Sequence, residues 1–437
     1  MSSPIQKVPR RPFGSGNPKL PTNVPIVGLG CSSFSSFFWT PEEQQLQGPL
    51  TVETITKDHP RVQEWIQTIH FAVLECGITL LDTAPWYGHG TSEIVIGYAM
   101  EKGLQDVRST MTINTKVGRY EADPAQQFDF SYTTTLASIQ RSMQRMKCDY
   151  IDVLQLHDPE FAPTMDQLMQ ETIPAMRQAQ TNGWCKALGM TGYPLEIQYQ
   201  ILQRSMEVFG TNVWDQALTY GHYNLHNTRL TTLAMGTHSS YAEFCQSQAV
   251  QLLAAAPLSM GLLTPPQSSN HVDKDDDDDT NQEPKFNFPV WHPASLELQR
   301  ACQEASLYCQ RHGINIATLA IAFALANSQI ACTILGCKNV DQVQQAVEIA
   351  NRFHGEDRTT SSSSSNSGDS SSSNGTTTMN IWTENESKVL RHLLDPELGP
   401  FATVWKKDLH HWDGIGAVFE FWRAVPSVSL DYWQRQP

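Results

Sequence analysis

The chain contains no C-x-x-C pair, no excess of positive charge and no apolar run of membrane-spanning length, and each absence removes a class of protein. Its 9 cysteines are scattered singly between Cys31 and Cys337, which argues against a disulfide framework and a zinc site and leaves free thiols of a reducing compartment as the reading. A net charge of -15 argues against nucleic-acid binding, which needs basic surface to displace counterions. Part of that charge is local: "DKDDDDD" at 273–279 holds six Asp and one Lys, a net of minus five, in a like-charge block typical of solvated loops. The start, "MSSPIQKVPRRPFGSG", lacks the apolar centre of a secretory signal, so a cytoplasmic protein with no membrane partner is expected. A complete G-x-G-x-x-G is missing as well: "GLGCSS" (28–33) offers Gly28 and Gly30, then Ser33, so the two glycines are read as closing a strand.

What is present is an alternation. Short apolar runs fall at 24–30, 78–83, 110–117, 150–157, 185–191, 213–220, 250–257 and 330–336, separated by stretches whose apolar residues recur three and four apart, as in "RVQEWIQTIHFAVLECG". Eight strand–helix units in this order predict an α/β protein built as a (β/α)₈ TIM barrel. Its expected limits are 24–352, after a flexible N-terminus (1–23). The polar segments 264–288 and 353–380 offer too little apolar surface to offset their ordering entropy and are expected as disordered insertions. Residues 381–437 carry enough Trp and Phe to pack back on the barrel.

In such a barrel the carboxyl ends of the strands face one shared site. Asp82 ends the second run, Tyr87 follows it, Lys116 closes the third and His157 the fourth. The set suits carbonyl reduction or alcohol oxidation. A phenol titrating near 10 is a poor acid or base at neutral pH, and a nearby cation, Lys116, would bring it toward the working range. Asp82 would hold Lys116, and His157 would orient the substrate oxygen. No cysteine–histidine cluster offers a metal, and none of these groups carries electrons, so a bound hydride carrier is implied. Trp86 beside Tyr87 is a candidate substrate contact, since a flat ring suits the apolar face of a sugar; Trp39 in the long first loop is a second candidate, for which packing within the loop is the favoured alternative. Glu93 is explained by the dipole of the following helix and His89 as a solvated loop residue.

The stretches "LLDTAPWYG", "INTKVGR", "VLQLHDPEF", "CKALGMTGYPLEI", "APLSMGLLT" and "ILGCKNVDQV" resemble, in order and spacing, the aldo-keto reductases, and among them the sugar dehydrogenases that act on L-galactose or D-arabinose. The resemblance implies a tetrad of Asp82, Tyr87, Lys116 and His157. It further implies oxidation of an aldose at its anomeric carbon to a lactone, with NAD or NADP as cofactor. Cofactor contacts are expected from Thr191, Tyr220, Pro257, Leu258, Ser259, Gly261, Gly336, Lys338 and Gln342. Departures are visible. Thr191-Gly192 replaces a Ser-Asn pair, Tyr220 replaces a Gln, Ala255 replaces a stacking aromatic, and Gln342 stands where an Arg commonly grips the NADP phosphate. Loss of that Arg leaves Lys338 as the basic residue nearby and points to NAD. Two alternatives stay open, an NADPH-dependent reductase of small aldehydes or ketones and a nucleotide-binding regulatory subunit. The complete tetrad favours the enzyme.

Overall fold

The computed structural model describes residues 6–12, 17–36, 50–123, 126–266, 292–353 and 381–411, with a few single residues between them. Among these residues, eight parallel strands close a barrel: β3 (Val27–Gly30), β4 (Leu80–Asp82), β5 (Thr112–Val117), β6 (Ile151–His157), β7 (Cys185–Gly192), β8 (Gln216–Tyr220), β9 (Gln251–Ala255) and β10 (Cys332–Gly336), with β10 pairing back onto β3. All eight apolar runs became strands. The first is shorter than expected, because Asn23–Pro25 (β2) turns away to pair with β1 (Arg10–Pro12) in a separate antiparallel hairpin.

That hairpin corrects the expectation of a flexible N-terminus. Arg11 donates from its guanidinium to the carbonyls of Asn327, Ile330 and, at 2.7 Å, Leu325. It thereby satisfies acceptors that the end of a helix leaves open. Asn17 and Lys19 both reach Asp215, at 2.7 and 3.2 Å. Residues 10–12 and 17–25 are thus fastened across the amino-terminal end of the barrel.

Helices cover the outside, each burying one face as the periodicity requires: α1 (Pro60–His70), α2 (Thr91–Glu101), α3 (Tyr132–Met146), α4 (Ile173–Thr181), α5 (Leu195–Phe209), α6 (Tyr241–Ser247), α7 (Leu296–Arg311), α8 (Ile316–Ala326) and α9 (Val340–Asn351). In α3, the side chain of Ser131 accepts from Thr134 N, while Thr135, Ile139, Ser142 and Met146 face inward. Inside the barrel an amide belt crosses from strand to strand. Gln216 Oε1 accepts from Asn114 at 2.9 Å and from Gln155 at 2.8 Å, and Gln216 Nε2 donates to Gln251 at 3.0 Å. Each of these polar groups is buried, so hydrogen bonding between strands replaces water and fixes the layer directly below the mouth.

Within the C-terminal segment, residues 381–411 are described and pack against the main core. α10 (Glu384–Leu393) opens on a capping box of Thr383 and Glu386, and α11 (Ala402–Lys406) follows. Val389, Leu393, Phe401 and Val404 join the main core. The rest of the expected tail, 412–437, and nearly all of the two polar insertions lie outside the described residues. All 9 cysteines are buried free thiols, and burial pushes each upward in pKa.

Candidate active site

Parallel register sets the mouth. Gly30 lies beside Asp82, Asp82 beside Asn114, and His157 beside Thr191, so adjacent strand ends deliver their side chains to one level. Lys116 Nζ donates to Asp82 Oδ1 at 2.7 Å and to the Thr83 carbonyl at 2.8 Å, and stands 4.7 Å from the centre of the Tyr87 ring. The rings of Tyr87 and His157 meet edge to face, 6.1 Å apart and at 88°. The four residues read as a tetrad from the sequence therefore come together. Asp82, Lys116 and His157 are buried, and Tyr87 keeps part of its ring open.

The turn that presents Tyr87 is tightly made. Gly88 has φ 61°, and a Cβ there would lie 2.0 Å from Thr91 Oγ1, so only glycine fits. Glu93, expected to serve the helix dipole, is instead fully buried. It accepts from Thr115 Oγ1 at 2.7 Å and pairs with Arg145 at 3.2 Å, tying the start of α2 to β5 and α3. His89 is likewise not a solvated residue, since its ring packs edge-on against Trp86 with centroids 4.8 Å apart.

Burial dominates the titration of the site. The Tyr87 phenol is pushed well above its ordinary value, first by desolvation and then by Asp82, with Tyr220 and Asp158 adding to the effect. Burial thus outweighs the pull toward the working range expected from Lys116, and in the free protein the phenol keeps its proton at neutral pH. His157 is held well below its usual value by desolvation, and the Lys116 and Arg119 cations add to that, so its imidazole is neutral. Desolvation raises the Asp82 carboxyl, while its contact with Lys116 opposes the shift.

Four further groups at the mouth were not singled out from the sequence. Arg119 is buried, pairs with Asp158 at 2.8 Å and lies 4.0 Å over the Trp86 ring. Asp158 directly follows His157 and has left-handed backbone, φ 48° and ψ 55°. Glu160 accepts from Tyr193 N at 2.8 Å, and burial together with Asp158 pushes its carboxyl well above the usual range. Tyr193 packs edge-on against Tyr220 with ring centroids 5.4 Å apart. The signal was present in "KVGR" and "HDPEF", where charged residues follow two strand ends. Their pairing across two loops was not readable.

Of the substrate candidates, Trp86 stays at the mouth with one face covered by Arg119. Trp39 is corrected: its ring packs against His59 and Trp65, 6.5 and 6.3 Å between centroids, and it joins the core.

The residues expected to hold a dinucleotide lie at or just after the ends of four strands. Thr191 and Tyr220 end their strands at the mouth, Tyr220 with part of its ring open. After β9, Pro257 and Leu258 lead into Ser259, Met260 and Gly261, which all have positive φ. Gly261 has φ 101°, a backbone conformation that glycine accepts without strain, and among the described residues a Cβ there would meet nothing within 4 Å. Ser259 is held from two sides, its Oγ 2.7 Å from His226 Nε2 and its carbonyl 3.0 Å from His292 Nε2. Gly336 ends β10 beside Gly30, and the following turn closes on itself. Lys338 N donates to Gln342 Oε1 at 2.8 Å, and Gln342 N donates to Asn339 Oδ1 at 3.0 Å.

Residues 54–359 match the Aldo/keto reductase family, and the chain belongs to that family. It is similar to an L-galactose dehydrogenase of Arabidopsis thaliana, 33% identical over 324 residues that cover 74% of this chain and 83% of the relative. It is also similar to a D-arabinose 1-dehydrogenase of Saccharomyces cerevisiae, 28% identical over 276 residues, covering 62% and 72%. A solved aldo-keto reductase from Bacillus halodurans superposes with TM-score 0.52 over 78% of this chain and 90% of its own, at 20% identity, a likeness of fold.

Proposed function

We propose that this aldo-keto reductase oxidises the anomeric carbon of an aldose, L-galactose or a similar sugar, to a lactone with NAD as the preferred carrier. The observation that carries the reading is the Asp82–Lys116–Tyr87–His157 cluster, supported by the likeness to two sugar dehydrogenases. The nicotinamide supplies the hydride acceptor when bound. The other steps belong to the chain. Thr191, Tyr220 and the 257–261 turn would hold the carrier, with Gly336, Lys338 and Gln342 around its adenosine end. His157, neutral, hydrogen-bonds the anomeric hydroxyl and fixes it beside Tyr87. The deprotonated Tyr87 oxygen, the form that rising pH populates, then accepts the hydroxyl proton, and the Lys116 cation, held by Asp82 and Thr83 at 4.7 Å from the ring centre, favours that phenolate by charge attraction. In the reverse direction the same phenol donates.

Preference for NAD follows from the turn after β10. Lys338 is the one basic residue in 335–350, and the side chain of Gln342 is engaged with the backbone of its own turn. A single exposed lysine contributes about 0.2–1 kcal/mol, a few-fold in affinity, too little to impose NADP.

Two measurements test the reading. Tyr87→Phe lowers kcat for sugar oxidation by about 10²- to 10⁴-fold while NADH affinity, followed by fluorescence, stays within a few-fold; wild-type kcat in this variant would refute the role. Because the phenol titrates above its ordinary value, kcat/KM for oxidation climbs with pH across the neutral and alkaline range. A flat profile would assign the base to another group.

A further inference from the structure

Arg119 and Asp158 form a buried ion pair at the substrate end of the barrel that the proton-transfer chemistry above does not use. The guanidinium Nη1 reaches Asp158 Oδ2 at 2.8 Å, and their side chains are 2% and 5% exposed. Such a pair costs desolvation energy that a well-packed apolar pair of the same volume would avoid. Asp158 adds a backbone cost, since a non-glycine residue in the left-handed region is unfavourable by roughly 1–2 kcal/mol. Two costs at one point of the mouth suggest that position matters more there than stability.

The surroundings say for what. Asp158 Oδ2 lies 3.7 Å from His157 Nε2, so the pair touches the residue that would orient the reacting hydroxyl. Arg119 covers one face of Trp86, and Tyr87 and Tyr193 both lie within electrostatic reach of Arg119 and Asp158. Asp158 Oδ1 has no hydrogen-bond partner among the described residues. A carboxylate oxygen at the mouth with an accepting lone pair, braced by a planar donor fork and flanked by aromatic rings, matches the chemistry of a polyhydroxylated ring. Vicinal hydroxyls present alternating donors and acceptors, and the ring C–H faces are apolar.

We infer that Asp158, braced by Arg119, is the hydroxyl-recognising element of the site: it accepts a hydrogen bond from a sugar hydroxyl next to the reacting carbon and so sets which aldose is used. The inference rests on the sugar reading given above and deepens it. Discrimination comes from the difference between a satisfied and an unsatisfied buried carboxylate, which rejects a substrate lacking the matching hydroxyl far more strongly than a hydrophobic wall would.

The test compares each aldose that the wild-type enzyme oxidises with its single-deoxy analogues, in the wild type, Asp158→Asn and Arg119→Lys, by kcat/KM with saturating NAD. NADH affinity and far-ultraviolet dichroism serve as controls for folding. In the wild type, removal of one particular hydroxyl is expected to lower kcat/KM by roughly ten- to hundredfold. In Asp158→Asn the ratio of parent to that deoxy sugar falls toward one, and in Arg119→Lys, which keeps the charge and loses the fork, it falls part of the way. Variants that lose activity equally on parent and deoxy sugars, with the ratio intact, would show the pair to be structural and overturn the inference while leaving the sugar reading standing. Should Asp158→Asn not fold, the ratio in Arg119→Lys decides. A wild-type enzyme that oxidises no aldose but reduces simple aldehydes would overturn both readings, and its signature differs from the first.

Discussion

The two ends of the barrel both bury charge, and they do so differently. At the base, Asp152 near the start of β6 is met by Arg108 at 2.7 Å, by Lys186 at 3.0 Å and by the Ile113 amide at 3.0 Å, while Asp215 is met by Lys19, Asn17 and the Leu188 amide. Several donors surround each carboxylate, as a structural joint requires. At the mouth, Tyr87 and His157 are pushed away from their usual titration by burial, and His89, Asp158, Ser259 and Met260 have positive φ. Charge joins strands at the base; at the mouth it is held at energetic cost, in the place where the proposed substrate would arrive.

Substitutions can break this comparison, and the largest effect falls at the mouth. Lys116→Met should lower kcat by about 10³-fold or more and destabilise the fold by about 3–5 kcal/mol, because Asp82 is left buried without its counter-charge. Chemical denaturation and steady-state kinetics read the two effects separately. Loss of stability with normal kcat would make this pair no different from those at the base. There, Arg108→Met should cost about 2–3 kcal/mol, less than a wholly broken pair because Lys186 and the Ile113 amide remain. Its kcat at low temperature should match the wild type, and a changed kcat would mean that the two ends are coupled.

Acid sharpens the contrast further. Burial lowers the His226 pKa to about 3, whereas an unfolded histidine titrates near 6.5. The unfolded state therefore binds the extra proton first, so stability is complete above the unfolded value and is lost as pH falls from about 6.5 toward 3, by about 1.4 kcal/mol per unit. His226→Gln should flatten the decline of melting temperature between pH 7 and 5. An unchanged slope would place the proton uptake on other groups. The smallest effect is expected at the edge of the mouth. Gln342→Arg should raise NADP affinity relative to NAD by roughly five- to thirtyfold, as a charge-assisted contact is gained. Titration with both nucleotides measures it, and no change would move the phosphate grip elsewhere.

How far the sequence could be read differs from one region to another. Eight apolar runs with turn residues between them were enough for the strands, since period and length are local properties. Asp82, Lys116 and His157 were legible for the same reason, each sitting at a strand end, and parallel strands must present those ends together. For Trp39 the sequence left packing and substrate contact both open, because a loop's aromatic ring can satisfy itself against any apolar neighbour and nothing local names Trp65 as that neighbour. The hairpin of β1 and β2 was missed because a three-residue strand carries almost no periodic signal.

The sequence by itself determined the alternation of strand and helix, the placing of Asp82, Lys116 and His157 at strand ends with Tyr87 in the following loop, and the absence of an arginine at Gln342, because these depend on residue type and spacing along one chain. The tertiary structure decided the direction of the Tyr87 and His157 shifts, the joining of Arg119 to Asp158 and the fastening of Ser259 by His226 and His292. Desolvation and pairing depend on which groups are brought within a few ångströms of each other from distant parts of the chain, and that is fixed only when the barrel closes.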